Sequence, residues 1–362
     1  MRILLVRLRQ IGDVVFTTPA VHALRQRFPD AHLSYIVEPA AAPIVIHNPH
    51  LNQVIVAPRA RGGRGLLDDL ALGARLRAER YDLAIDFHGG PRASLLTWLS
   101  GAPERIGYEV VGRSWMYTRR IARPRMLRPR HSVENQWDLL APLGVAPPDR
   151  AAYPMEMPAD AGAAAAVADR LTRAGVAVDD SLVVIHVSAG NPFRRWPAAH
   201  FVDLVASLAA GDPRRRIIIT SGPSETDAAS RVIADARARL GAEAMRQVLS
   251  CGEFSLIELR ALLDRASLYI GGDSGPLHVA ATSRVPIVGL YGPTLPIRSA
   301  PWRADTCITE SVDAGDLPCR PCDQRVCEPG DFRCLTSITP AHVFEAAERA
   351  FARATAIRGD RS

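Results

Sequence analysis

Three glycines, an aspartate, a serine and a histidine fall within the eight residues GGDSGPLH at 271–278, directly after the apolar run 268–270. Glycines let backbone amides approach a ligand, Pro276 suits the first turn of a helix, and amides at a helix start attract an anion. His278 would face the same region from that helix. The segment reads as a cradle for a diphosphate. A Gly-rich turn with a capping aspartate fits the spacing equally well, because a Gly-rich loop alone is a weak signal. The loop is neither the dinucleotide pattern GxGxxG nor the pattern ending in Gly-Lys-Ser/Thr.

Another turn, Arg9-Gln10-Ile11-Gly12-Asp13, follows the apolar run 3–8. A carboxylate beyond the carboxyl end of a parallel strand lies on the ligand side of an open α/β sheet. There it could take a proton from an attacking hydroxyl. On pattern alone, Asp13 as a helix N-cap is the stronger reading. The stretch HVSAGNPFRRWP at 186–197 ends a strand and precedes a helix. Ser188 offers a hydroxyl, and Arg194 and Arg195 could hold phosphate oxygens and neutralise a leaving diphosphate. A solvated arginine pair is the competing reading. In the turn SGPSE at 221–225, Glu225 could bond sugar hydroxyls or simply begin a helix.

Cys319, Cys322, Cys327 and Cys334 follow the spacing C-x2-C-x4-C-x6-C, with Cys307 upstream. The start of the chain does not read as a secretion signal, so disulfides are disfavoured. A structural zinc is one reading. Only the first pair has tight spacing, and reduced structural thiols are preferred. The stretch 110–133 carries Arg113, Arg119, Arg120, Arg123, Arg125, Arg128 and Arg130 and no acid between them. Arg59, Arg61 and Arg64 form a smaller group in a Gly-rich loop. Both groups suit an anionic membrane surface or acceptor, or else a solvated face.

The elements that must position these residues alternate. Strands are expected at 3–8, 33–37, 53–57, 83–87, 182–187, 216–221, 268–271 and 286–291, several as continuous apolar runs typical of buried parallel strands. Helices are expected at 19–28, 160–174, 197–210, 256–265 and 340–354. The βαβα pattern occurs twice, which predicts two doubly wound α/β domains. A Pro- and Ala-rich segment between 144 and 180 marks their boundary. The domains are placed at 1–160 and 161–339, with a final helix and tail at 340–362 expected to pack back on the N-terminal domain.

Composition narrows the partners. Nearly half of the 362 residues are hydrophobic, and the formal net charge is +6. All 44 basic side chains are arginine, which weakens any argument from a single arginine to a phosphate. A basic surface favours anionic partners, but no zinc-finger, RNA-recognition or basic-zipper pattern supports nucleic acid. No run of 18 apolar residues predicts a membrane span. A cytoplasmic location is expected by default.

Together these motifs resemble glycosyltransferase family 9, the ADP-heptose:lipopolysaccharide heptosyltransferases. The resemblance rests on RILLVRLRQIGDVVFTTPAVHALRQRFPDAHLSYIV, FRRWP, SGPSE and FSLIELRALLDRASLYIGGDSGPLHVAATSRVPIVGLYGPT, in that order. The tail CRPCDQRVCEPGDFRCLTSITPAHV is similar to the second and third heptosyltransferase subgroups. The resemblance implies a GT-B fold of two Rossmann-like domains facing a central cleft, with the donor on the C-terminal domain and the acceptor on the N-terminal one. It implies an inverting, metal-independent transfer of heptose from ADP-heptose to the lipopolysaccharide inner core, at the inner face of the cytoplasmic membrane. No cofactor is expected, and no Asp-x-Asp motif is present.

In that reading Asp13 matches the general base. Ser188, Arg194, Glu225, Asp273, Ser274, Gly275 and His278 match the donor site, Arg194 replacing the family's usual lysine. Gln10, Gly12, Arg59, Arg61 and Arg64 are assigned to the acceptor. Rival readings are a sugar-nucleotide epimerase on the same fold and a glycosyltransferase using another nucleotide sugar.

Overall fold

The computed structural model describes residues 1–58, 63–122, 130–223 and 225–359; the side chains at 63, 64, 358 and 359 are outside it. The chain divides into two compact units, Met1–Pro158 and Ala159–Ser362.

Unit 1 contains β1 (Arg2–Val6), α1 (Ile11–Val15), α2 (Thr18–Arg27), β2 (His32–Val37), β3 (Gln53–Val56), α3 (Gly63–Ala78), β4 (Leu83–Asp86), α4 (Pro91–Leu99), β5 (Glu104–Tyr108), β6 (Arg119–Ile121) and α5 (Ser132–Trp137). Its six parallel strands lie in the order β3-β2-β1-β4-β5-β6. The central strands are largely apolar because helices cover both faces: Ile3, Leu4, Leu5 and Val6 of β1 are fully buried.

Unit 2 contains α6 (Ala161–Arg173), β7 (Ser181–His186), α7 (Ala198–Gly211), β8 (Arg215–Thr220), α8 (Thr226–Arg239), α9 (Ala242–Met245), β9 (Val248–Leu249), α10 (Leu256–Arg265), β10 (Leu268–Gly272), α11 (Gly275–Ala280), β11 (Ile287–Tyr291), α12 (Pro296–Ser299), β12 (Thr309–Asp313), α13 (Arg333–Thr336) and α14 (Pro340–Gly359). Its strands run β12-β11-β10-β7-β8-β9. Counted from its own first strand, this is the same order as in unit 1. Each sheet therefore reverses its strand order once, between β1 and β4 and between β7 and β10, and such reversals open a ligand crevice at the carboxyl ends.

Local signals set the helix starts. Asp160 caps α6 by accepting the Ala163 amide at 2.7 Å. At α10, Ser255 and Glu258 cap each other's backbone amides reciprocally. The last helix corrects an expectation. It was placed against the N-terminal domain, but it packs on α7 and on β10, β11 and β12 of unit 2. Val343, Ala346, Ala347 and Ala350 recur at helical spacing and are fully buried in the unit 2 core. Arg215 adds an ion pair to Glu348 and lies 4.7 Å over the Phe351 ring.

Candidate functional site

At the unit 1 reversal, the chain leaving β1 carries Arg7. Its side chain is only 9% exposed, and it donates to the Phe87 carbonyl just past β4 at 2.7 Å. Its other nitrogen forms an ion pair with Asp13 Oδ2, and the Asp13 side chain is 42% exposed. The stronger pattern reading of Asp13, a helix cap, is not what the structure shows. Gln10 occupies the cap position of α1, no side chain caps that helix, and Asp13 lies inside its first turn. Gln10 is exposed on the same turn, and Gly12 is buried. Arg59 and Arg61 lie outside the described residues. Arg64 falls in the first turn of α3, and its side chain is also outside them.

Behind this pair sits a carboxylate that the sequence reading missed. Asp86 ends β4 fully buried, accepting the amides of His88 and Gly89 at 2.7 and 2.8 Å and the Tyr117 hydroxyl at 2.6 Å. Burial pushes its carboxyl above the usual range, and the Tyr117 and amide hydrogen bonds offset part of that rise. An acid at the end of an apolar strand was the available signal for Asp86, as a base there was for Arg7.

At the unit 2 reversal, residues from four segments meet. Asp273 follows β10 and is 97% buried at its side chain, judged from its 3% exposure. Thr294 donates to its Oδ2 at 2.6 Å, Arg194 stands 3.3 Å from the same oxygen, and His278 lies 3.4 Å from Oδ1. Burial alone would raise this carboxyl, but the His278, Arg194 and Thr294 contacts outweigh it and hold it at about 2. Arg194 also donates to the Asp273 carbonyl at 3.1 Å. This closeness needs Gly272, since a Cβ there would meet the Arg194 carbonyl oxygen at 3.2 Å. Ser274 precedes α11 with its hydroxyl buried and without a hydrogen-bond partner among the described residues, and Gly275 begins that helix.

A second group lies across the ends of β7 and β8. The Gly222 amide donates to Ser188 Oγ at 2.7 Å. Glu225 pairs with Arg195 at 2.6 Å, and Arg195 also donates to the Ala189 carbonyl at 2.9 Å. A Cβ at Gly222 would sit 3.5 Å from Ser188 Oγ and 3.6 Å from Glu225 Oε2. The bare glycine leaves room for a ligand atom beside a hydroxyl and a carboxylate. The sequence reading missed Arg195 as the partner of Glu225, and it missed Thr294.

It also missed Gln324. This residue lies between Cys322 and Cys327 and accepts from Arg194 Nε at 2.7 Å and from Asn191 Nδ2 at 3.0 Å. Cys319, Cys322, Cys327 and Cys334 are free thiols lining a cavity of about 310 Å³, which Phe193 and Phe332 also line. Burial raises the Cys334 thiol above its usual value, and the neighbouring thiols add to that. Among the described residues, no three of these cysteines bring their sulfurs within 4.8 Å of one another.

Among the described residues, the one group that meets that spacing is His22, His50 and Glu156 in unit 1. Glu156 approaches His22 Nδ1 at 3.0 Å and His50 Nε2 at 3.2 Å. The two rings stack at 4.0 Å with only 12° between them. One ion about 2 Å from both nitrogens would lie far out of both ring planes. The arrangement is that of a carboxylate bridging two imidazoles.

The basic stretch is less free than its sequence suggests. Arg119 pairs with Glu104 at 3.2 Å, Arg130 pairs with Asp138, and Arg113 donates to the Gly89 carbonyl at 3.3 Å. Folding brings acids to a segment that contains none. Arg123, Arg125 and Arg128 lie outside the described residues. Among the described residues, no helix is long and apolar enough to cross a membrane.

Comparisons with known proteins agree with this geometry. Lipopolysaccharide heptosyltransferase 3 of Escherichia coli is 29% identical over 318 residues, covering 87% of this chain and 89% of that protein. A glycosyltransferase family 9 crystal structure from Veillonella parvula superposes with a TM-score of 0.83 at 23% identity, covering 97% of both chains. The structure of E. coli ADP-heptose lipopolysaccharide heptosyltransferase II superposes with a TM-score of 0.78 at 19% identity, covering 98% of this chain and 100% of that one. The fold is thus the two-Rossmann α/β fold of these transferases, GT-B. Residues 70–329 match the sequence model of Glycosyltransferase family 9 (heptosyltransferase), well over half of the chain. With two reversal points of this form and a family match of that extent, the chain belongs to glycosyltransferase family 9 and is a glycosyltransferase.

Proposed function

We propose that this enzyme transfers heptose from ADP-heptose to the inner core of lipopolysaccharide, with inversion at the anomeric carbon and without a metal ion. The observation that carries the reading is the buried Asp273 with Arg194, Thr294 and His278 around it, at the strand reversal of unit 2. A buried carboxylate there fixes a guanidinium beside the first turn of α11, which suits a diphosphate. Two of the proteins named above are lipopolysaccharide heptosyltransferases, and one of these is an ADP-heptose enzyme.

In the proposed mechanism unit 2 holds the donor. Ser188 and Glu225 meet its hydroxyl or phosphate oxygens above Gly222. Arg194 and the amide of Gly275 meet the diphosphate, and their charge and dipoles stabilise the ADP that departs. Unit 1 supplies Asp13. An acceptor hydroxyl gives its proton to the exposed Asp13 carboxylate while its oxygen attacks the anomeric carbon and the bond to diphosphate breaks. Arg7 anchors one Asp13 oxygen, so the base is held in a fixed orientation. Gln10 and Gly12, on the same turn, and the group Arg59, Arg61 and Arg64 are assigned to the anionic acceptor.

The acceptor is part of a membrane glycolipid, so the enzyme works on the cytoplasmic face as a peripheral protein. Exposed Trp98 and Trp115, 5.5 Å apart edge to face, and exposed Leu66, Leu67 and Leu70 of α3 support contact with that surface.

A panel of nucleotide sugars tests the donor. ADP-heptose should raise the melting temperature more than UDP- or GDP-sugars do, because ligand binding to the folded state stabilises it. Heptose should then appear on heptose-deficient lipopolysaccharide. Conversion of the donor sugar without any acceptor would replace this reading with an epimerase.

A further inference from the structure

His186 ends β7 with no part in the mechanism above, yet it is almost fully buried between two hydroxyls. Its Nδ1 lies 3.0 Å from Thr220 Oγ1, on the neighbouring strand β8, and its Nε2 lies 3.0 Å from Ser188 Oγ. Thr220 is paired with His186 in the sheet register, so the two are held by the ladder itself. Burial pushes the imidazole down to about 4, so near neutral pH the ring carries one proton and one lone pair.

The two tautomers leave Ser188 in different states. With the proton on Nδ1, the ring donates to Thr220, and Thr220 must donate to the Ile185 carbonyl at 3.4 Å, the outer limit of a hydrogen bond. Ser188 then spends its own proton on Nε2. With the proton on Nε2, Thr220 donates to Nδ1 at 3.0 Å and the ring donates to Ser188. Ser188 Oγ already accepts the Gly222 amide at 2.7 Å, so both of its lone pairs are then filled. Its proton is left to point away from both partners. Relative to the first arrangement, the second gives up only the marginal 3.4 Å bond, and it regains a bond whenever an acceptor oxygen arrives at Ser188.

We infer that His186 and Thr220 are positioning residues that fix Ser188 as a hydrogen-bond donor, able to give but not to receive, aimed at an acceptor oxygen of the nucleotide-sugar donor. This rests on the reading of unit 2 as the donor-binding unit. The consequence is selectivity of polarity. An oxygen with a free lone pair is bound beside Gly222, whereas a ligand group that can only donate is turned away, because Ser188 has no lone pair left for it.

The experiment measures ADP affinity by calorimetry and tautomer by nitrogen-15 NMR of the imidazoles. Ser188→Ala and His186→Leu should each weaken ADP about 5- to 20-fold, the worth of roughly one hydrogen bond to an anionic ligand. His186→Gln, which can still donate to Ser188, should recover most of that loss. The double variant Ser188→Ala/His186→Leu should bind ADP as weakly as Ser188→Ala alone, because His186 acts only through Ser188. Turnover at saturating donor should change less than KM. In the wild type, His186 should carry its proton on Nε2, and more completely when ADP is bound. Additive losses in the double variant, or a proton on Nδ1 in the ADP complex, overturn the relay. If His186→Leu does not fold, Thr220→Val against Thr220→Ser gives the same contrast, with only serine retaining wild-type affinity. If wild-type protein fails to bind ADP, the donor reading falls, and the free-protein tautomer alone then decides the relay.

Discussion

The two units are built on one strand order, and each reverses it once, yet the two reversals hold different chemistry. Unit 1 presents a carboxylate that is 42% exposed and tied to one buried arginine. Unit 2 presents a carboxylate that is 3% exposed and tied to an arginine, a threonine and a histidine. In the proposed mechanism, the group that exchanges a proton with an incoming substrate is the one left open to it. A group that organises a loop is sealed, because its charge then acts on its neighbours with little screening by water. The topology chose the two places, and the turn residues chose what each place does.

The sharpest way to break this comparison is Asp13→Asn. The amide keeps the size and a contact to Arg7 but cannot take a proton. Transfer should fall about 10²- to 10⁴-fold, with ADP affinity in calorimetry unchanged. A near wild-type rate would leave the exposed carboxylate without its role and make the two reversals equivalent.

Next in size is the donor side. Arg194→Ala should weaken ADP about 10- to 100-fold, the worth of a charge-assisted contact to phosphate. Arg194→Lys should retain much of the affinity, since the charge stays while the contacts to Gln324 and the Asp273 carbonyl are remade. An equal loss in both variants would show that the fork geometry of arginine, not its charge, is what the loop needs.

Asp273 also has a signature in stability. Its carboxyl titrates at about 2 in the folded protein against 3.8 unfolded, so the native state favours the ionised form. The resulting stabilisation, about 2 kcal/mol, is fully present above pH 4 and disappears as pH falls from about 4 through about 2. Asp273→Asn should flatten this part of the stability profile, measured by urea unfolding at stepped pH. An unchanged acid limb would mean that Arg194 and His278 do not hold the charge.

A smaller effect is expected from the cysteines. Replacing Cys319, Cys322, Cys327 and Cys334 together by serine should cost about 1–3 kcal/mol of stability, chiefly at buried Cys334, and leave turnover at saturating substrate near wild type. A folded variant without turnover would give this segment a chemical part. The smallest effect is at the membrane. Four of the arginines in 110–133 changed to glutamine should weaken binding to anionic vesicles by at most about 1 kcal/mol each, and less for Arg119 and Arg130, which are already paired. Equal binding to neutral and anionic vesicles would remove the electrostatic contribution of unit 1.

Most inner strands were legible because a strand buried on both faces is apolar along most of its length, as ILLV in β1 and LVVI in β7 are; β5, ERIGY, is an inner strand without such a run and was not expected. Of the edge strands, β3 was legible at 53–57, whereas β6, β9 and β12 were not. β6 is RRI, β12 is TESVD and β9 has two residues, since an edge strand faces water and loses that signature. α10 was read to the residue at 256–265, and in the structure Ser255 and Glu258 cap its start. The last helix was readable as a helix but not as to what it covers, because an apolar stripe specifies a surface and not its owner.

What the sequence determined by itself was local and periodic: the apolar runs, the helix starts, the Gly-rich turn at 271–278, and the placing of Asp13 and Asp273 just past strand ends. Each of these depends on residues a few positions apart, where covalent geometry already fixes the distance. What only the tertiary structure decided were the pairings across long separations. Arg7 reaches Phe87, Arg195 reaches Glu225, and Gln324 carries the cysteine segment to Arg194, 130 residues earlier in the chain. His186 meets Thr220 only because β7 and β8 lie side by side in register. A side chain's partner is set by which strands become neighbours. That choice is made by the burial of whole faces, and no stretch of residues encodes it alone.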